Sequence, residues 1–164
     1  MTREQYERWS KPYRNSKSKQ RILITADKLI TALIFLAYPV FLLYVFLEQS
    51  PKDFICAVAI PAVSFCLVSI FRKWYSAPRP YEVWNMKPLL NKDTKGKSFP
   101  SRHVFSVFII GMTYFHTIKI LGTVVFFLGA ALAFIRVIGG VHFPKDVLAG
   151  AWIGILFGLL FWII

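Results

Sequence analysis

Residues 29–47 read LITALIFLAYPVFLLYVFL, 19 consecutive positions without a charged side chain. Crossing a hydrocarbon core about 30 Å thick takes roughly 20 helical residues, so this stretch predicts a membrane-spanning helix. Four further apolar runs, 54–71, 103–118, 120–138 and 147–164, have comparable character. The expected fold is therefore all-α, a polytopic membrane helical bundle of about five transmembrane helices. Composition agrees, with 56% hydrophobic residues and a mean hydropathy of +0.53 in a chain of 164; soluble domains are far less apolar. Pro39 and Pro61 interrupt the first two runs, which membrane helices accept where neighbouring helices supply hydrogen-bond partners. The very short turn around Lys119 to Gly122 predicts an antiparallel helical hairpin between the third and fourth runs.

Outward from these spans the sequence is basic. Residues 1–28 form a polar N-terminal segment and 29–164 the expected membrane-embedded domain. Tyr6, Trp9 and Tyr13 recur at helical spacing among Arg and Lys, which predicts an interfacial helix lying on the membrane surface; a disordered basic tail is the competing reading. No apolar core of a removable signal peptide precedes the first span, which is expected to remain. The net charge of +12 would suggest nucleic acid on a soluble protein. In a membrane protein it fits an anionic bilayer surface or an anionic substrate instead, and no nucleic acid partner is expected. Cys56 and Cys66 lie within one apolar run and read as small hydrophobes. Gly150, Gly154 and Gly158 place a glycine stripe on one face of the last helix, a pattern that predicts close helix packing.

Five crossings return three polar clusters to one membrane face. Arg72, Lys73, Arg79 and Pro80 follow the second run; Pro100, Ser101, Arg102 and His103 precede the third; Arg136, His142 and Asp146 lie between the last two. Converging arginines suit phosphate, because the guanidinium fork pairs with two oxygens at once and keeps its charge. Unpaired backbone N–H groups where the third helix begins add an anion cradle. Asp146 lies four residues after His142, with Pro144 at a first helical position, so its carboxylate reaches back to the imidazole. Such a pair fixes the tautomer and frees the second ring nitrogen for attack. His103 is then the proton donor to the departing oxygen. A metal centre on His103, His142 and Asp146 is the rival, but Asp146 is the sole acid in the three clusters, too few carboxylates among too many arginines. Neither metal nor cofactor is expected. His116, near the other end of its helix, reads as structural or interfacial.

The three clusters resemble the signature of the type 2 phosphatidic acid phosphatase superfamily: K-x6-R-P, then P-S-G-H, then S-R-x5-H-x3-D. Here they read R-x6-R-P (Arg72 to Pro80), P-S-R-H (Pro100 to His103) and I-R-x5-H-x3-D (Ile135 to Asp146). The resemblance implies a phosphohistidine on His142, orientation by Asp146 and protonation of the leaving alcohol by His103. It also implies phosphoryl binding by Arg72, Arg79, Ser101 and Arg136, and a reaction that needs no metal.

Three positions depart from the pattern: Arg72 stands for lysine, Arg102 for glycine and Ile135 for serine. Arg102 is a further expected phosphate contact, toward the second phosphate of a diphosphate. The function expected is metal-independent dephosphorylation of a membrane lipid phosphate or diphosphate: phosphatidate, phosphatidylglycerophosphate or a polyprenyl diphosphate such as undecaprenyl diphosphate. A lipid phosphotransferase with the same intermediate and a non-catalytic lipid-binding protein remain as alternatives. The site face carries 18 Lys and Arg against 2 on the other face, Lys52 and Lys119. The positive-inside rule therefore predicts a cell-membrane protein whose site faces the cytoplasm.

Overall fold

The computed structural model describes residues 1–90, 92 and 94–164. Seven α-helices follow one another: α1 (Arg3–Arg14), α2 (Lys17–Glu48), α3 (Pro51–Tyr75), α4 (Pro80–Val83), α5 (Arg102–Thr117), α6 (Lys119–Ile138) and α7 (Pro144–Gly158), and α7 ends in a 3-10 turn, Leu159–Trp162. No strand occurs among the described residues. Four segments, Lys17–Glu48, Pro51–Val83, Lys119–Ile138 and Pro144–Trp162, are long and apolar enough to cross a membrane. The fold is an all-α polytopic bundle.

The remaining apolar run forms α5. At 16 residues it spans only about 24 Å, and ten of those residues are buried, so it serves as the central post of the bundle. Its apolar character thus reflects protein neighbours more than lipid. The glycine stripe explains how α7 reaches it. A Cβ on Gly150 would lie 2.6 Å from the Ser101 carbonyl oxygen, and one on Gly158 would lie 2.3 Å from the Met112 Cβ. Only hydrogen at these positions lets the backbones approach so closely.

Ser50 and Asp53 cap the start of α3 reciprocally, with Pro51 in its first turn. At that same far end His116 lies 3.9 Å from Asp53 and stacks on Phe161, well removed from the polar clusters. Inside α3, Pro61 has no N–H for the carbonyl four residues earlier, that of Ala57. Tyr38 of α2 donates its hydroxyl to this carbonyl at 2.6 Å, the neighbour-supplied bond that a prolyl membrane helix requires.

At 32 residues α2 extends about 48 Å, longer than a bilayer core, and runs unbroken through positions 28 and 29. Its first turns belong to the site end. The N-terminal helix forms, opened by a capping box between Thr2 and Gln5, but Tyr6 does not face lipid headgroups as its spacing predicts. It is 1% exposed, packs 5.4 Å from Trp84, and its hydroxyl accepts from Arg14 at 3.0 Å. A tyrosine that must seat both a ring and a hydroxyl finds more in a protein groove than at a wet interface. Trp9 stays exposed. Arg14 also donates to the Lys87 carbonyl, so α1 is strapped to the loop that precedes α5.

Candidate active site

The three clusters meet at one end of the bundle around a cavity of about 330 Å³. Arg72, Arg79, Arg102, His103, Arg136 and His142 all line it, joined by Ser69, Lys73, Lys92, Thr94 and Lys97. Ser101 does not. It caps α5, its backbone N–H donates to the Asp146 carbonyl at 2.8 Å, and its hydroxyl is buried without a partner beside Gly150. The close α5–α7 contact pins it behind the cavity wall.

His142 sits in the short connection between α6 and α7 and is 2% exposed. Its Nδ1 lies 3.6 Å from Asp146 Oδ2, while Nε2 faces the cavity 3.5 Å from Arg79 Nη1. Burial takes its pKa from 6.5 down to about 4, although the bond to Asp146 acts in the opposite sense. The ring is neutral at neutral pH. With Nδ1 turned to the carboxylate, the lone pair resides on Nε2, toward the cavity.

Asp146 is itself held from three directions. Phe143 N–H donates to Oδ2 at 2.9 Å at the start of α7, His142 approaches from one side, and Ser98 donates its hydroxyl to the same oxygen at 2.5 Å. Ser98 Oγ also lies 3.4 Å from His142 Nδ1, so serine, carboxylate and imidazole form a closed triangle. Motif reasoning missed Ser98. It lies two residues before Pro100 with nothing in its local spacing to mark it.

The arginines divide into two kinds. Arg72 donates to the carbonyls of Lys97, Ser98 and Pro100. Arg79 donates to those of Gly96, Lys97 and Val141. Most of their five N–H donors are therefore committed to the surrounding loops, which they shape while contributing positive charge. Glu82 assists by accepting from the backbone N–H groups of Arg79 and Gly96 at 2.8 and 2.9 Å. Among the described residues Arg102 and Arg136 donate to no loop carbonyl. Arg102 lies over the Phe65 ring at 5.3 Å, and Arg136 pairs with Asp27 Oδ1 at 2.9 Å. Lys92 adds a cation from the loop, held below its ordinary pKa range by burial and by Arg79.

No cluster of three metal-ligating side chains exists among the described residues. Among the described residues, seven cationic side chains line the cavity and no carboxylate does. Such a site selects an anion.

The sequence model of a family described as the PAP2 superfamily matches residues 53–164. The chain belongs to this superfamily. Within it, the Bacitracin transport permease protein BcrC of Bacillus licheniformis is 34% identical over 110 residues, 66% of this chain and 54% of that protein. The chain thus matches about half the length of this PAP2 relative. Among solved structures, LpxE of Aquifex aeolicus has a TM-score of 0.76 at 20% identity, covering 98% of this chain and 94% of its own. The PAP2 type phosphatidylglycerolphosphate phosphatase of Bacillus subtilis has a TM-score of 0.72 at 20% identity, covering 96% and 83%. At such identity these two establish the PAP2 fold. The match begins at Asp53, so α1 and all of α2 lie outside the family segment.

Proposed function

We propose that the protein is a metal-independent lipid phosphatase that works through a phosphohistidine on His142. One observation carries this reading: a neutral imidazole oriented by Asp146 presents Nε2 to a cavity walled by cations. Nε2 attacks phosphorus, and the bond from phosphorus to the lipid oxygen breaks. His103, on the cavity wall, delivers a proton to that oxygen as it leaves. Water then attacks the phosphohistidine, returns a proton to His103 and releases phosphate. The fixed cations meet the charge on the transferring group at no cost of reorganisation.

An apolar groove of about 380 Å³ supports a lipid as the substrate. It lies between α2, α3 and α5, lined by Tyr38, Leu42, Pro61, Phe65, Ser106 and Ile109 among others. Along α3 the groove residues Pro61 and Phe65 lead by helical spacing to the cavity residues Ser69 and Arg72; along α5, Ser106 lies one turn beyond His103. Phosphate and hydrocarbon therefore have adjoining places. Phosphatidate, phosphatidylglycerophosphate and polyprenyl diphosphates all have this form, as does the phosphatidylglycerolphosphate named for the Bacillus subtilis structure. The excess of Lys and Arg on the site face supports a cytoplasmic orientation.

Purified protein in detergent with excess EDTA is expected to release inorganic phosphate from such lipids, and His142→Ala to abolish release. A fully active His142→Ala protein overturns the mechanism. Labelling of single cysteines substituted at Lys95 and Lys119 in intact cells tests orientation, outward access at 95 alone being the contrary result.

A further inference from the structure

Of the four cavity arginines, Arg72 and Arg79 donate to loop carbonyls and Arg102 is exposed, so Arg136 is the buried one that donates to no carbonyl among the described residues, and its counter-ion comes from outside the family segment. Asp27 of α2 lies 2.9 Å from Arg136 Nε, and the two side chains are 14% and 8% exposed. The contact is an ion pair rather than an aligned hydrogen bond. Among the described residues the Arg136 side chain makes no hydrogen bond, so both Nη groups are available to the cavity that it lines. Arg72 and Arg79, by contrast, are tied to loop carbonyls.

The position of Asp27 is itself unexpected. On α2, Leu23, Ile30 and Ile34 form the stripe that packs on the rest of the protein. The next residue of that stripe after Leu23 is Asp27, a carboxylate where the pattern calls for an apolar side chain. Buried ion pairs contribute little to stability compared with apolar residues of like volume, so stability alone is a poor account of this one.

We propose that Asp27 is a positioning residue: it fixes the Nε edge of Arg136 and thereby aims the two Nη groups at the phosphoryl group in the cavity. The proposal rests on the phosphatase reading above. It assigns the helices that precede the family segment a part in the chemistry, since α2 sets the direction of an arginine that α6 carries. Positioning matters most where the transferring group carries its transition-state charge distribution, so its loss acts on turnover.

The test uses the full-length protein in detergent micelles with a short-chain lipid phosphate. Asp27→Asn, which keeps the shape and loses the charge, is expected to lower kcat by about 10- to 100-fold with KM not raised. Arg136→Gln is also expected to be slow, and Asp27→Asn in that background is expected to add nothing. A lowered melting midpoint with normal kcat, or an effect of Asp27→Asn that persists undiminished beside Arg136→Gln, overturns the proposal. A lowered KM with unchanged kcat also overturns it, by making Asp27 a mere charge neutraliser. Should Asp27→Asn fail to fold, Asp27→Glu keeps the charge and displaces the carboxylate by one methylene; a folded Asp27→Glu with full kcat is then the contrary result. Absence of phosphate release by the unaltered protein would instead remove the phosphatase reading, so the two failures are distinct.

Discussion

Ser98 donates its hydroxyl to Asp146 Oδ2 across 2.5 Å, joining the loop before α5 to the first turn of α7. The bond completes the set at that oxygen: Phe143 N–H and Ser98 both donate to Oδ2 and His142 Nδ1 stands 3.6 Å from it, while Oδ1 is buried with no hydrogen bond among the described residues. The imidazole is therefore oriented by two side chains.

Ser98→Ala is expected to reduce kcat by about 10- to 100-fold, the equivalent of roughly 1.5–3 kcal/mol for a hydrogen bond to a charged group. Asp146→Asn is expected to be more severe, on the order of 1,000-fold or beyond, because the amide favours the wrong tautomer. Phosphate release measured on protein of verified melting midpoint checks both. An unaltered rate in Ser98→Ala would mean that Asp146 needs no help.

The acid limb of the pH profile follows from His142. Its nucleophilic form is neutral, and burial brings its pKa to about 4, so protonation of this residue is expected to reduce kcat/KM only as pH falls toward that value. Stability has its own sign. Between the unfolded value of 6.5 and the folded value of about 4, the unfolded chain binds the proton and the folded chain does not. The contribution of His142 to folding therefore declines as pH falls through this window and is level above it. Melting midpoints of the wild type and His142→Gln at pH 7 and pH 5 are expected to differ in their pH dependence by this contribution.

Tyr38→Phe removes the donor from the Ala57 carbonyl that Pro61 leaves without an intrahelical partner. An unsatisfied buried carbonyl costs about 1–3 kcal/mol, so the melting midpoint in detergent is expected to fall. Restoring the helical N–H with Pro61→Ala in the same chain is expected to recover part of the loss.

Gly150→Ala places a methyl group 2.6 Å from the Ser101 carbonyl oxygen, which is backbone and cannot swing aside. Overpacking of this kind costs about 1–3 kcal/mol. Because Ser101 immediately precedes Arg102 and His103, activity is expected to fall with stability. Gly154→Ala, whose Cβ would lie 2.9 Å from the Phe105 carbonyl oxygen, is expected to lower stability with less effect on turnover.

The bundle was legible in the sequence because apolar length is a local property, and Pro61 and the glycine stripe carried their packing roles in plain view. Arg72, Arg79, Arg102, His103, Arg136 and His142 were legible because five crossings bring three short clusters to one face. Ser98 and Asp27 were not. Each makes its decisive contact with a residue far along the chain, Asp146 and Arg136, and no period or spacing encodes such a pairing. Tyr6 was misread for a related reason: helical spacing marks which side of α1 is aromatic but leaves open whether lipid or protein covers it. The commitment of Arg72 and Arg79 to loop carbonyls depends on loop conformation, which their motif does not specify.

The seat of Tyr6 has a consequence for biogenesis. The tyrosine hydroxyl lies where a Cβ on Gly140 would come within 2.4 Å, and Gly140 has a φ of +76° that favours glycine. Tyr6 thus has its resting place on a turn that is translated long after it. The α1 and α2 helices are translated before that seat exists, so Tyr6 docks only after translation has passed Gly140. A ribosome stalled short of Gly140 would hold a chain whose α1 is still open to protease, a state distinguishable from the finished protein by limited digestion.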